Sequence, residues 1–220
     1  MELIMALGGV ILMDLLLAGD NAVIIALASH KLPARQRKQA ILWGSLGAVI
    51  FRVILILVAT KLLTIPYLQF IGGLALLYIA IKLTGEKQEV SCHQAVSLLE
   101  AIKVIVVADV IMSLDNVLAI AGTATGMGGS HQILVIIVGL AVSVPFVVFG
   151  SSIILKIMDR FPIIIYVGAA VLGLAAAKMM VQDTVMKVYL APYGLVIEIA
   201  LTIGVVLLGL LLKTWSKRRR

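Results

Sequence analysis

Asp14-Leu-Leu-Leu-Ala-Gly-Asp20-Asn21 and Asp109-Val-Ile-Met-Ser-Leu-Asp115-Asn116 are the two stretches on which the reading of this chain turns. Each sets two acids and an amide inside a long apolar run. A carboxylate at the centre of a bilayer costs about 2.5–3.5 kcal/mol on insertion scales. Four of them cost roughly 10–14 kcal/mol if nothing offsets them, comparable to the stability of a whole domain. A cation, protons or basic partners must supply the offset.

The rest of the chain explains why these runs belong in a membrane. Of 220 residues, 62% are hydrophobic and only 13% are charged. A soluble domain of that size has too little interior to hide so much apolar surface. The runs are continuous and do not alternate as barrel strands do. A transmembrane helix takes roughly 20 residues. Seven runs of that order emerge, at about 3–28, 40–62, 66–84, 98–123, 132–156, 161–181 and 192–212. The expectation is an all-α polytopic membrane protein with seven transmembrane helices, forming one transmembrane domain over 1–220. The first run starts Met1-Glu2 without a basic leader and contains Asp14, so it is read as a span and not as a cleaved signal.

Punctuation falls between the runs. Lys31-Leu-Pro-Ala-Arg35-Gln-Arg37-Lys38 is a basic loop, residues 85–97 form the longest polar connection, and Thr125-Gly-Met-Gly-Gly-Ser130 is a flexible turn. Pro66 and Pro162 are expected to open spans, where proline costs least. The net charge of +7 does not point to nucleic acid, because the basic residues cluster at the ends of apolar runs. One set of alternate loops holds fourteen: Lys31, Arg35, Arg37, Lys38, Lys82, Lys87, Lys103, Lys156, Arg160, Lys213, Lys217, Arg218, Arg219 and Arg220. The other set holds only Lys61, Lys178 and Lys187. Cytoplasmic loops carry the excess of Lys and Arg. The expected location is therefore the plasma (inner) membrane, with the N-terminus outside and the C-terminus in the cytoplasm. The single Cys92 excludes an internal disulfide, and Cys92-His93 offers too few ligands for a metal.

The two motifs belong to a longer internal repeat, offset by about 95 residues. Gly44, Phe51, Val53 and Lys61 match Gly139, Phe146, Val148 and Lys156; Pro66, Gly72, Ala80 and Lys82 match Pro162, Gly168, Ala176 and Lys178. The units span about 3–84 and 98–181, with an extra helix at about 192–212. Three spans per unit is an odd number, so the second copy enters the membrane from the opposite side. Inverted repeats of this kind recur in transporters, with the substrate site near mid-membrane at the repeat interface.

Spacing constrains the site. On a helix Asp14 and Asn21 are about 20° apart, whereas Asp14 and Asp20 are about 120° apart. Both acids reach one ion only if the span unwinds near Ala18-Gly19; otherwise they serve two stacked sites. Gly19 favours unwinding in the first copy; in the second, Leu114 does not, and Ser113 can hydrogen-bond backbone. Carboxylate, amide and carbonyl oxygens are hard ligands suited to Mg, Ca and Mn. No Cys or His lies within the spans to favour Zn or Cu(I), and Met13, Met112, Met179 and Met180 read as packing residues. Close carboxylates share protons, which raises proton-coupled exchange as a hypothesis. Two further charged residues lie inside spans, Arg52 and Glu198; an ion pair between Arg52 and Glu198 or one of the motif acids is expected, with Glu198 otherwise a proton acceptor. Ala169-x3-Gly173-x3-Ala177 is a small-residue ridge for close helix contact.

At the paired Asp-x5-Asp-Asn motifs the chain resembles the TerC family of integral membrane proteins, above all its short bacterial members, over essentially its whole length. The resemblance implies metal-ion efflux, chiefly of manganese, and an association with tellurium resistance. It implies that Asp14, Asp20, Asn21, Asp109, Asp115 and Asn116 matter for transport. The function expected is export of a divalent metal, Mn2+ first, by alternating access. Its partners are the lipid bilayer, the transported ion and protons, with no permanently bound cofactor; a homo-oligomer is left open. The alternatives are another cargo, such as Ca2+ or a proton-coupled solute, and a non-transporting assembly or metal-sensing scaffold. An enzyme is not expected, since no nucleophile–base pair, HExxH or phosphate loop is present.

Overall fold

A computed structural model describes residues 2–62, 65–85, 97–123 and 129–218. They form helices and no strand: α1 Glu2–Ser29, α2 Ala34–Leu62, α3 Leu68–Gly85, α4 Leu98–Thr123, α5 Gly129–Arg160, α6 Ile163–Gln182, a short α7 Lys187–Leu190 with the 3-10 turn Ala191–Tyr193, and α8 Gly194–Arg218. Four stretches among the described residues are long and apolar enough to cross a membrane: Ala34–Ile56, Ile137–Arg160, Ile163–Gln182 and Lys187–Leu212. Gly19–Ser29 and Leu68–Thr84 are shorter apolar stretches. Most of the polar connection expected over 85–97, with Cys92 and His93, and most of the glycine-rich turn after Thr125 lie outside the described residues.

The helix ends follow local chemistry. The Ser97 hydroxyl accepts the Glu100 N–H at 3.1 Å, capping α4. Pro162 sits at the N-cap of α6, and Pro66 stands two residues before α3 instead of opening it. Tyr67 carries φ 62, the one left-handed non-glycine residue described. The helix α2 begins earlier than the expected residue 40, because basic side chains at its start are solvated and do not end a helix. The α7 turn was not foreseen; Asp183 builds it, accepting the Val185 and Met186 N–H groups at 3.0 and 3.1 Å.

The burial pattern is that of a bundle in lipid. Ile24, Leu76, Ile105 and Leu172 are fully buried, while Phe149 and Leu195 are 69% and 72% exposed. Exposed apolar side chains on this scale suit a hydrocarbon surround and not water. The helix α1 packs against α5 and α4, α2 packs against α4, and α3 packs against α6. The extra helix α8 covers α6 and α3. The small-residue ridge is used there: Ala169 and Ala177 are fully buried, and a side chain at Gly173 would meet the Thr202 backbone of α8 at 3.2 Å.

Two glycines set the closest approaches. A Cβ on Gly44 of α2 would lie 2.8 Å from Ile105 of α4. A Cβ on Gly139 of α5 would clash with Val10 of α1 in the same way. Both members of one contact are displaced by 95 residues in the other, Gly44 to Gly139 and Val10 to Ile105.

Side chains tie the loops at each end. The Arg37 guanidinium donates to Asp159 at 2.6 Å, and to the Leu32 and His30 carbonyls at 2.7 Å each. This puts the α1–α2 turn beside the end of α5. Asp183 accepts the Phe70 N–H at 3.2 Å, so the α6–α7 turn lies beside the start of α3. These two clusters therefore gather loops 1 and 5 at one place and loops 2 and 6 at another.

Candidate functional site

Four helices bring a charged cluster into the interior. Asp14 comes from α1, Arg52 from α2, Asp109 and Ser113 from α4, and Ser143 from α5. Asp14 is 1% exposed, Arg52 4% and Asp109 4%. The guanidinium uses all three of its nitrogens. Nη1 donates to Asp14 Oδ1, Nη2 to Asp109 Oδ1 at 2.5 Å, and Nε to the Ser113 hydroxyl at 3.0 Å. Each carboxylate has a serine on its second oxygen: Ser143 bonds Asp14, and Ser113 donates to Asp109 at 3.3 Å. Burying this many charges is tolerable only with such complete pairing.

Beside the cluster is a cavity of about 20 Å3, bordered by Asp14, Asn21, Ser45, Arg52, Asp109 and Ser143 among others. That is room for about one water. Its wall holds groups left without partners among the described residues: both amide atoms of Asn21 and the Ser45 hydroxyl. Asn21 is 2% exposed and Ser45 3%. A buried polar group left unpaired costs about 1–3 kcal/mol, so two such residues on one small cavity mark a place built to hold something polar.

The motif residues divide. Asp14, Asn21 and Asp109 meet at the cavity. Asp20 does not; it is half-buried, and its Oδ1 accepts the neighbouring Asn21 N–H at 3.0 Å. The side chains of Asp115 and Asn116 lie outside those described, although both residues belong to α4. Of the two arrangements left open for Asp14 and Asp20, unwinding near Gly19 is not the one adopted: α1 runs unbroken from Glu2 to Ser29. An unbroken helix keeps Asp14 and Asn21 on one face and turns Asp20 away. Among the described residues no three acid, His or Cys side chains converge as a metal cluster; two acids, Asp14 and Asp109, meet here with the guanidinium between them.

The ion pairs choose between the two partners expected for Arg52. Arg52 pairs with two motif acids and not with Glu198. Glu198 is on α8, which packs on α6 and α3, and its carbonyl accepts the Thr202 hydroxyl at 2.6 Å. Ser113 bonds Arg52 and Asp109 with its side chain, not the backbone. Ser45 and Ser143 were missed by sequence reasoning. The available signal was faint: serines at positions where an apolar span has no need of a hydroxyl.

These features define a helical membrane protein with a buried, polar, charged cluster between its helices. The chain belongs to the integral membrane protein TerC family, whose model matches residues 1–220. It is 42% identical over 184 residues to the uncharacterized membrane protein YjbE of Bacillus subtilis, covering 83% of this chain and 82% of that one. It is 28% identical to the inner membrane protein YgdQ of Escherichia coli K12, over 72% of each chain. No solved structure matches it.

Proposed function

We propose that this protein exports a divalent metal ion, Mn2+ first, by alternating access across the bacterial inner membrane. The observation that carries this reading is the meeting of Asp14 and Asp109, one from each motif, at a single buried point walled by unpartnered Asn21 and Ser45. Those are hard oxygen ligands of the kind Mg, Ca and Mn take. The choice of manganese rests on the TerC resemblance. In this reading the remaining motif residues, Asp20, Asp115 and Asn116, also serve transport, as the TerC resemblance implies, and proton exchange accompanies the ion.

The transport cycle needs seven spans, with two inverted three-helix units and α8 added. The packing supports that arrangement. Exchanging the units turns α1 against α5 into α4 against α2, and both contacts are extensive. It turns the Gly44–Ile105 contact into Gly139–Val10. The clusters at Arg37–Asp159 and Asp183–Phe70 group odd loops with odd and even with even, as alternate crossings of one membrane require.

The test is cellular Mn content with and without the protein, repeated with Asp14→Asn. Expression lowers Mn, and the variant abolishes the effect while reaching the membrane normally. Mn content unchanged by either would remove this function. One observation favours a scaffold instead: Arg52 already satisfies both carboxylates, as a purely structural ion pair would. Under that reading Asp14→Asn impairs assembly and leaves Mn unaltered.

A further inference from the structure

We propose that Arg52 is a tethered stand-in for the transported ion: it holds Asp14 and Asp109 when no ion is bound, and an ion binds there only by displacing it. The proposal rests on the transport reading and adds a residue that neither motif contains.

Three observations lead to it. First, the guanidinium sits where a cation would. Its two terminal nitrogens take one oxygen from each carboxylate, so ion and guanidinium compete for the same atoms. Second, there is no room for both. The adjoining space is about 20 Å3, enough for one water and not for an ion with its own water shell. A divalent ion beside a retained guanidinium would also set like charges close together where little solvent screens them. Third, the arrangement is one-sided. Val147 is the repeat counterpart of Arg52 and borders the same cavity. Two acids thus share one built-in cation, and the unpartnered Asn21 and Ser45 remain beside it as unused ligands.

Charge explains the use. Asp14 and Asp109 with Arg52 carry one net negative charge; with a divalent ion in its place they are neutral. An empty carrier without Arg52 would have to reorient with both carboxylates bare in a low-dielectric interior or take up protons to neutralise them. The tethered cation supplies the empty state's counter-charge and sets a threshold that the ion must overcome. Ser113 anchors it through Nε at 3.0 Å, so Arg52 is a positioning residue and Ser113 its latch.

The test is titration of the purified full-length protein in lipid nanodiscs with MnCl2 and CaCl2 by calorimetry, with thermal melting to check folding. Arg52→Gln tightens binding by roughly tenfold or more, because the competing charge is gone. Its turnover in proteoliposomes nevertheless falls, because the empty form returns slowly. Arg52→Lys falls between Gln and wild type, since a point charge cannot bridge two carboxylates as a planar fork does. Ser113→Ala loosens the latch and tightens binding several-fold, and it decides the matter if Arg52→Gln does not fold. Unchanged or weaker binding in a folded Arg52→Gln, or in Ser113→Ala when the former is unfolded, overturns the proposal. If wild type binds ions in an Asp14-dependent way, that failure leaves the transport reading intact. If neither wild type nor Arg52→Gln binds either ion, both fall.

Discussion

Asp14 and Asp109, 95 residues apart in sequence and on different helices, close on opposite terminal nitrogens of one buried guanidinium. Both acids are buried, with exposures of 1% and 4%. Removing one partner of a buried ion pair typically costs about 3–5 kcal/mol. Arg52→Gln is expected to lose stability of that order, since it strands two carboxylates. Asp14→Asn loses less, because Asp109 still holds the guanidinium. The double variant is more stable than the sum of the singles implies, and a double-mutant cycle by chemical unfolding in detergent measures the difference. Additive effects would mean the pair is not coupled.

The glycine contacts make a paired prediction. Gly44→Ala pushes a methyl into Ile105, and Gly139→Ala pushes one into Val10. Overpacking of this kind costs about 1–3 kcal/mol. Ile105→Ala restores the first variant, and Val10→Ala restores the second. Thermal melting of the four proteins checks this, and rescue at only one contact would argue against equivalent roles in the two units.

His30 gives a pH dependence outside the spans. Burial pushes its imidazole below the ordinary value; Asp159, whose Oδ1 lies 3.3 Å from Nδ1, opposes this, and Arg37 and Lys31 reinforce it. The folded state thus favours the neutral ring. Its contribution is complete above the unfolded value of about 6.5 and is lost as pH falls below that toward the folded value. The midpoint of thermal unfolding is expected to drop on acidification from pH 7 to 5. Asp159→Asn removes the one opposing charge among the described residues and steepens the drop, whereas His30→Gln flattens it.

Asp183 is fully buried and accepts three backbone N–H groups, from Phe70, Val185 and Met186. Asp183→Ala strands all three at the junction of α3 and α7. A loss of about 2–4 kcal/mol follows, since bonds to a charged acceptor are worth roughly 1.5–3 kcal/mol each but water reaches part of this turn. Asp183→Asn keeps an acceptor oxygen and loses less. Faster hydrogen exchange at Phe70 and Met186 in the Ala variant would locate the effect.

Tyr67 holds a left-handed backbone that an aromatic residue adopts at a cost of about 1–2 kcal/mol. Pro66 before it and φ 62 at Tyr67 match a type II turn, which prefers glycine at that place. Tyr67→Gly is expected to raise stability by up to about 1 kcal/mol, the gain reduced by glycine's greater freedom when unfolded. A fall in unfolding temperature would show that the exposed ring contributes more than the strain costs.

Sequence by itself determined the class, because a chain with so few charges and such long apolar runs has no soluble solution. It singled out the acids inside the spans, because carboxylates in hydrocarbon are costly, and two of them, Asp14 and Asp109, meet in the structure. It also put Asp14 and Asn21 on one face, since helix geometry fixes that from spacing alone. Only the tertiary structure decided the rest. Which partner Arg52 takes depends on how helices cross, and the crossing of α2 against α4 and α1 gave it Asp14 and Asp109 instead of Glu198. That α1 stays unbroken at Gly19 was also a tertiary outcome: Asp14 finds its counter-charge on a neighbouring helix, so the backbone has no need to unwind to supply ligands. Ser45, Ser113 and Ser143 entered the site for the same reason. Their hydroxyls are ordinary in sequence and become specific only when four helices place them around one charge.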